Sequence, residues 1–170
     1  MKERVGFVGL GNMGAGMAAN LVKKGFPLTV TANRSRDALE ALVAQGATEA
    51  ATLRQMAEQV DIVVLCVTGS PEVLRVVNGP DGLASAGKPL MIIDCSTSDP
   101  AVTVPLAGEL AARGITLIDA PLGRTPREAA AGTLDVMVGA SDADLARARP
   151  VLEAFAGRVL HTGAIGTGHT

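Results

Sequence analysis

The residues that most constrain this chain are Gly9-Leu10-Gly11-Asn12-Met13-Gly14, a G-x-G-x-x-G set between two different periodicities. Before it, Arg4–Val8 is short, apolar and β-branched, the pattern of a buried strand. After it, Met13–Lys24 places Met17, Leu21 and Val22 on one face, the pattern of an amphipathic helix. The first glycine permits a tight turn, the second lets backbone approach a pyrophosphate, and the third allows close helix–strand packing. Amides at the helix N-terminus then meet the phosphates. A glycine turn can be purely structural. The preceding strand, the following helix and a second strand soon after favour dinucleotide binding.

The same alternation continues to the end of the 170 residues. Strands are predicted at Arg4–Val8, Leu28–Ala32, Ile62–Val67, Leu90–Cys95, Ile115–Ala120, Leu134–Val138 and Val159–His161, with a brief one near Thr48. Helical patterns occupy Met13–Lys24, Arg36–Gln45, Leu53–Glu58, Glu72–Val77, Val102–Arg113 and Ala143–Ala156. Ser70-Pro71 and Asp99-Pro100 read as helix starts, and Asp142 and Asp144 favour another. "IVVLCV" and "LMIID" are almost continuously apolar, as expected of parallel strands covered on both faces. Together these features predict one domain over residues 1–170. Its fold class is α/β, a Rossmann-like, doubly wound, mostly parallel sheet in three α/β/α layers.

Composition removes other classes. Aromatic residues are 2% of the chain, with no Trp or Tyr, and the formal net charge is −2. Base-stacking platforms and phosphate-backbone binding are therefore not expected, and nucleic acid is excluded as a partner. The apolar runs are strand-sized, so no membrane span is expected, and the N-terminus reads as a first strand and not as a signal peptide. Cys66 and Cys95 lie apart, outside any C-x-x-C pair, and read as buried free thiols of a cytoplasmic protein. His161 and His169 are the only histidines, with no accompanying carboxylate cluster, so neither a metal site nor a Ser-His-Asp triad is expected. Ser96, beside Asp94, reads as shaping a loop and not as a nucleophile. Arg127 and Glu128 read as a solvated helix face.

Cofactor choice rests on the end of the second strand. An NAD site usually has a carboxylate there, roughly 20 residues past the glycines. This chain has "TANRSR", with no carboxylate before Asp37. Arg34 is suited to pair with a 2′-phosphate, with Asn33 and Ser35 as hydrogen-bond donors. Cations are disfavoured at a helix N-terminus, which argues against mere solvation. The expected cofactor is NADP, ahead of NAD. Val67 and Thr68 close another strand on the carboxyl edge and are expected to contact it.

"GFVGLGNMGAGMAANLVKKG" goes beyond a generic turn. It resembles the β-hydroxyacid dehydrogenase family, which includes 3-hydroxyisobutyrate dehydrogenase and the cofactor domain of 6-phosphogluconate dehydrogenase. Every fixed position of that family's GxGxMGxxMAxNL is met. "DCSTSDP" is similar to the family's strand–Ser-Thr–loop, which implies that Thr97 lies near the nicotinamide. "DAPLGRTPREAAAGTLDVMVGA" is similar to its substrate loop and following strand, and "HTGAIGTGHT" to the motif that opens its interdomain helix. Where relatives carry Ser-Gly-Gly to hold a substrate carboxylate, this chain has Gly123, Arg124 and Thr125. That version resembles the sulfolactaldehyde reductase branch and implies a small substrate with an anionic group.

The resemblance also places the family's catalytic lysine two residues beyond Thr170, and none of Lys2, Lys23, Lys24 or Lys88 matches it. The expected catalytic set within these residues is therefore empty, and the family's all-helical C-terminal domain is not among them. By this reading the chain is the cofactor domain of an oxidoreductase acting on a small anionic β-hydroxyacid or its semialdehyde. It binds nucleotide and turns over poorly or not at all. Homo-oligomerisation is implied for the intact enzyme, while a monomer is compatible with this chain alone. Two alternatives stand beside it: a non-catalytic NADP-binding sensor or scaffold module, and an imine reductase of the same family, which has less use for an anion anchor.

Overall fold

The structure, a computed structural model, describes residues 2–32 and 36–170. Among them nine strands form one sheet of order β3-β2-β1-β4-β5-β6-β8-β7, with β9 also pairing with β8. The strands are β1 (Val5–Val8), β2 (Leu28–Val30), β3 (Thr48–Glu49), β4 (Ile62–Leu65), β5 (Leu90–Asp94), β6 (Ile115–Asp119), β7 (Leu122–Gly123), β8 (Leu134–Gly139) and β9 (Ala156–Gly163). The helices are α1 (Gly14–Lys23), α2 (Asp37–Ala44), α3 (Leu53–Gln59), α4 (Ser70–Asn78), α5 (Pro100–Ala111), α6 (Pro126–Ala131) and α7 (Asp142–Glu153), with a 3-10 turn at Leu83–Ala86. β3 through β6 are parallel, β8 is antiparallel to β6 and β7, and β9 is parallel to β8. This is the expected Rossmann-like, mostly parallel α/β fold.

Side-chain alternation along the strands divides the core in two. Val5, Phe7, Ile62, Val64, Met91 and Ile93 join a cluster that includes Met17 and Leu21 of α1 and Leu145 and Leu152 of α7. Val63, Leu65, Leu90 and Ile92 join the opposite cluster with Met56, Val73, Val76 and Leu106. Central strands therefore bury both faces, which is why they read as unbroken apolar runs. At the β8 end only one face is covered: Leu134, Val136 and Val138 are buried, whereas Asp135 and Met137 between them are half-buried.

α4 starts at Ser70-Pro71 as expected, with Gly69 as its N-cap, and Ser70 Oγ accepts the Asp99 amide at 2.8 Å. Asp99 does cap α5, through the Ala101 amide at 2.8 Å. α7 ends at Glu153, short of Ala156, and β9 is longer at both ends than Val159–His161. β7 and the 3-10 turn were not anticipated, and α6 was visible only as a polar face.

Candidate nucleotide and substrate site

The loops at the carboxyl edge of β1, β4 and β5 lie against one another. Gly9 has φ 103°, in the left-handed region that favours glycine, and a Cβ there would stand 2.0 Å from the Cys66 carbonyl oxygen. A Cβ on Gly14 would stand 1.7 Å from the Gly9 oxygen. The protein's own packing thus requires both glycines. Gly11 differs, because a Cβ there would meet nothing within 4 Å and its φ is not positive. Among the described residues nothing calls for a glycine at this exposed position, which a close-approaching ligand would explain. Leu10 and Met13 are half-buried against the core, while Asn12 is exposed on the turn. α1 begins beside them with no side-chain cap and no acidic residue in its first turn, while the Ala15 amide donates to the Gly11 carbonyl at 3.1 Å. This cradle fits a dinucleotide pyrophosphate, which Gly11, Asn12 and the first amides of α1 would hold.

Val67, Thr68 and Thr97 extend the same edge. The Val67 amide donates to Ser96 Oγ at 2.9 Å, which joins the loops after β4 and β5. A Cβ on Gly69 would touch the Thr97 carbonyl oxygen at 3.4 Å, and both Thr68 and Thr97 are exposed. The expectations for Asn33, Arg34 and Ser35 fall outside the described residues. Next to them Arg36 is committed within the chain: its guanidinium meets Glu49 at 2.9 and 3.0 Å and holds that carboxyl below its ordinary range.

Gly123 ends β7, and Arg124 and Thr125 follow it. Arg124 has φ 86°, one of two non-glycine residues with positive φ among those described. Its Nε donates to Asp135 Oδ2 at 3.3 Å, and the side chain is 52% exposed. A second arginine, Arg158, approaches the other oxygen of Asp135 at 4.0 Å. Thr125 faces its own helix instead: its amide donates to Glu128 Oε2 at 3.2 Å and its hydroxyl to the same oxygen. These bonds hold the Glu128 carboxyl below its ordinary value. α6 is docked onto α1, where Asn20 Nδ2 donates to the Ala129 and Ala130 carbonyls at 2.9 and 3.1 Å. A Cβ on Gly16 would stand 2.8 Å from the Ala130 nitrogen. The helix that starts at the phosphate cradle therefore also fixes the Arg124 loop.

One expectation needs correction. His169 does have carboxylate neighbours: its ring is 1% exposed and lies 3.9 Å from Asp94 and 4.0 Å from Asp119, both buried. Sequence separation hid this, although "LMIID" and "ITLID" end on the same residue and stand in register, Asp94 beside Asp119. Burial raises the Asp94 carboxyl, opposed by bonds from Ser96 and Ser98. The three groups are not disposed to hold a metal, and no such cluster occurs among the described residues. Burial also pushes the Cys66 thiol to about 11 and Cys95 well above its ordinary value. Both thiols are free. Lys2 stacks on Phe26 and Lys88 donates to the Val60 carbonyl, while Lys23 and Lys24 end α1, all away from the carboxyl edge. No described helix is long and apolar enough to cross a membrane.

Residues 4–163 match the family model described as the NAD binding domain of 6-phosphogluconate dehydrogenase. The chain belongs to that family. Within it, the chain is 42% identical over 166 residues to a 3-hydroxyisobutyrate dehydrogenase of Pseudomonas aeruginosa, covering 96% of the chain and 55% of the relative. It is 33% identical over 165 residues to the 3-sulfolactaldehyde reductase of Escherichia coli, with coverage of 96% and 55%. The solved structure of a Mycobacterium tuberculosis 3-hydroxyisobutyrate dehydrogenase with L-serine aligns at a TM-score of 0.91 and 32% identity, covering 99% of this chain and 57% of that one. The chain thus spans about half the length of the curated relatives it matches.

Proposed function

We propose that this chain is the cofactor-binding part of an NADP-dependent oxidoreductase whose substrate is a small anionic hydroxyacid or the corresponding aldehyde. The observation that carries the substrate half is Arg124. It holds a left-handed backbone at a position where the resembling loop has glycine, so a long cationic side chain is kept there against its conformational cost. A guanidinium so placed can engage a carboxylate, sulfonate or phosphate through two charge-assisted hydrogen bonds. Asp135 keeps it extended from β8 in the meantime. Arg34, with Asn33 and Ser35, supports the preference for a 2′-phosphate, since the neighbouring Arg36 is already neutralised by Glu49.

The bound cofactor supplies hydride transfer. This chain's residues bind and orient: Gly11 and the α1 amides the pyrophosphate, Val67, Thr68 and Thr97 the nicotinamide side, Gly123 and Arg124 the substrate anion. Among the described residues no lysine reaches this edge.

The cofactor assignment is tested by thermal denaturation of the chain with NADPH or NADH at equal concentration. A ligand at 100 times its Kd stabilises by about 2.7 kcal/mol, and each kcal/mol moves the midpoint by about 2–4 °C for a chain of this size. NADPH should give the larger shift. A larger shift with NADH rejects the role given to Arg34.

A further inference from the structure

The buried ring of His169 has no part in the reading above, yet it joins three segments of the cofactor edge. Its Nε2 lies 3.0 Å from the Ser96 carbonyl oxygen. A carbonyl only accepts, so Nε2 carries the hydrogen and donates. Its Nδ1 lies 2.9 Å from Thr103 Oγ1, in the first turn of α5. Its backbone amide donates to Asp119 Oδ2 at 2.9 Å, and the Gly166 amide donates to Oδ1 of the same carboxylate at 2.7 Å. Both ring nitrogens and the main chain are therefore engaged in a place where the ring is 1% exposed. An apolar side chain could fill that space without desolvating two nitrogens.

Ser96 is the hub on the other side. Its carbonyl receives His169, its Oγ receives the Val67 amide at 2.9 Å, and its own amide donates to Asp94 Oδ1 at 2.9 Å. The next residue is Thr97, exposed at the edge where nucleotides bind in such sheets. Asp94 Oδ2 accepts Ser98 Oγ at 2.8 Å, so the loop is fixed on both sides of Thr97.

We infer that His169 is a positioning residue for the nicotinamide half of the cofactor. It clamps the Ser96–Ser98 loop to α5 and to the segment Gly166–Thr170, which couples occupation of the edge to the seating of that segment. The inference rests on the nucleotide reading, and the experiment separates the two. NADPH and 2′,5′-ADP, which lacks the nicotinamide, are titrated calorimetrically against the native chain, His169→Phe and His169→Gln. The phenylalanine fills the space without nitrogens, and the glutamine retains a donor toward Ser96. His169→Phe should weaken NADPH about tenfold, the scale of one lost hydrogen bond, and leave 2′,5′-ADP unchanged, with His169→Gln between. Equal loss of both ligands, or no loss of either, overturns the inference. A native chain that binds neither ligand rejects the nucleotide reading itself. Independently of any variant, NADPH but not 2′,5′-ADP should slow hydrogen exchange at the Gly166 and His169 amides of the native chain. Unchanged exchange also overturns the coupling.

Discussion

Replacing Arg124 by glycine and by alanine separates its conformational cost from its chemistry. At φ 86° an L-residue is strained, and alanine keeps that strain. A left-handed conformation costs an L-residue about 1–2 kcal/mol, which glycine avoids. Glycine in turn adds about 0.5–1 kcal/mol of backbone freedom to the unfolded chain. The balance leaves Arg124→Gly more stable than Arg124→Ala by about 0.7 kcal/mol, or about 1.5–3 °C in thermal midpoint. Both variants lose the exposed pair with Asp135, which contributes under about 1 kcal/mol and cancels in the comparison. In an enzyme carrying this domain both should also lose the charge-assisted contact to substrate, about 1.5–3 kcal/mol, raising KM for anionic substrates tenfold or more. Thermal denaturation monitored by circular dichroism and steady-state kinetics read the two effects. An alanine variant as stable as the glycine variant means the backbone is not left-handed in solution. An unchanged KM means Arg124 anchors no anion.

The motif glycines should behave differently from one another. Gly11→Ala should leave the midpoint unchanged or raise it, because its backbone is compatible with alanine, while NADPH affinity falls. Gly14→Ala should lose several kcal/mol, about the scale of overpacking against backbone; a Gly11→Ala chain with native affinity removes the reason given for that glycine. For pH, burial raises Asp94, so the folded chain binds this proton more tightly than the unfolded one. That contribution is full below the ordinary value of 3.8 and is lost as pH rises through the raised value. Asp61, lowered by Arg4, has the opposite sign: its contribution is present above 3.8 and is lost as pH falls through its lowered value. Asp94→Asn should therefore become more favourable, relative to native, as pH rises above 3.8 and through the raised value, read in thermal midpoints, and a difference independent of pH refutes this. Finally, Cys66 at about 11 and Cys95 higher should resist iodoacetamide in the folded chain near neutral pH and react once unfolded. Labelling of the native chain at the unfolded rate contradicts it.

The glycine turn was legible because its geometry is local. It needs only consecutive residues: Gly9 supplies a positive φ and Gly14 leaves no room for a Cβ. The parallel core was legible because strands covered on both faces lose polar residues altogether, as in "IVVLCV". Arg124 stood out against the Ser-Gly-Gly pattern, although its positive φ could not be read from sequence. Thr125 looked equally exposed to substrate, and only the fold turned its hydroxyl and amide toward Glu128.

By itself the sequence determined the alternation of the main strands and helices and the glycine turn between β1 and α1, because each depends on residues within one turn or one periodic run. Tertiary structure decided the rest. It brought His169 between Asp94 and Asp119, set Asn20 of α1 under the end of α6, and sent Ser70 to the loop of Asp99. These contacts join residues 29 to 109 positions apart, and no local pattern encodes such a pairing. Buried polar groups find partners wherever packing places them, because leaving them unpaired is costly, and only the packed sheet says where that is.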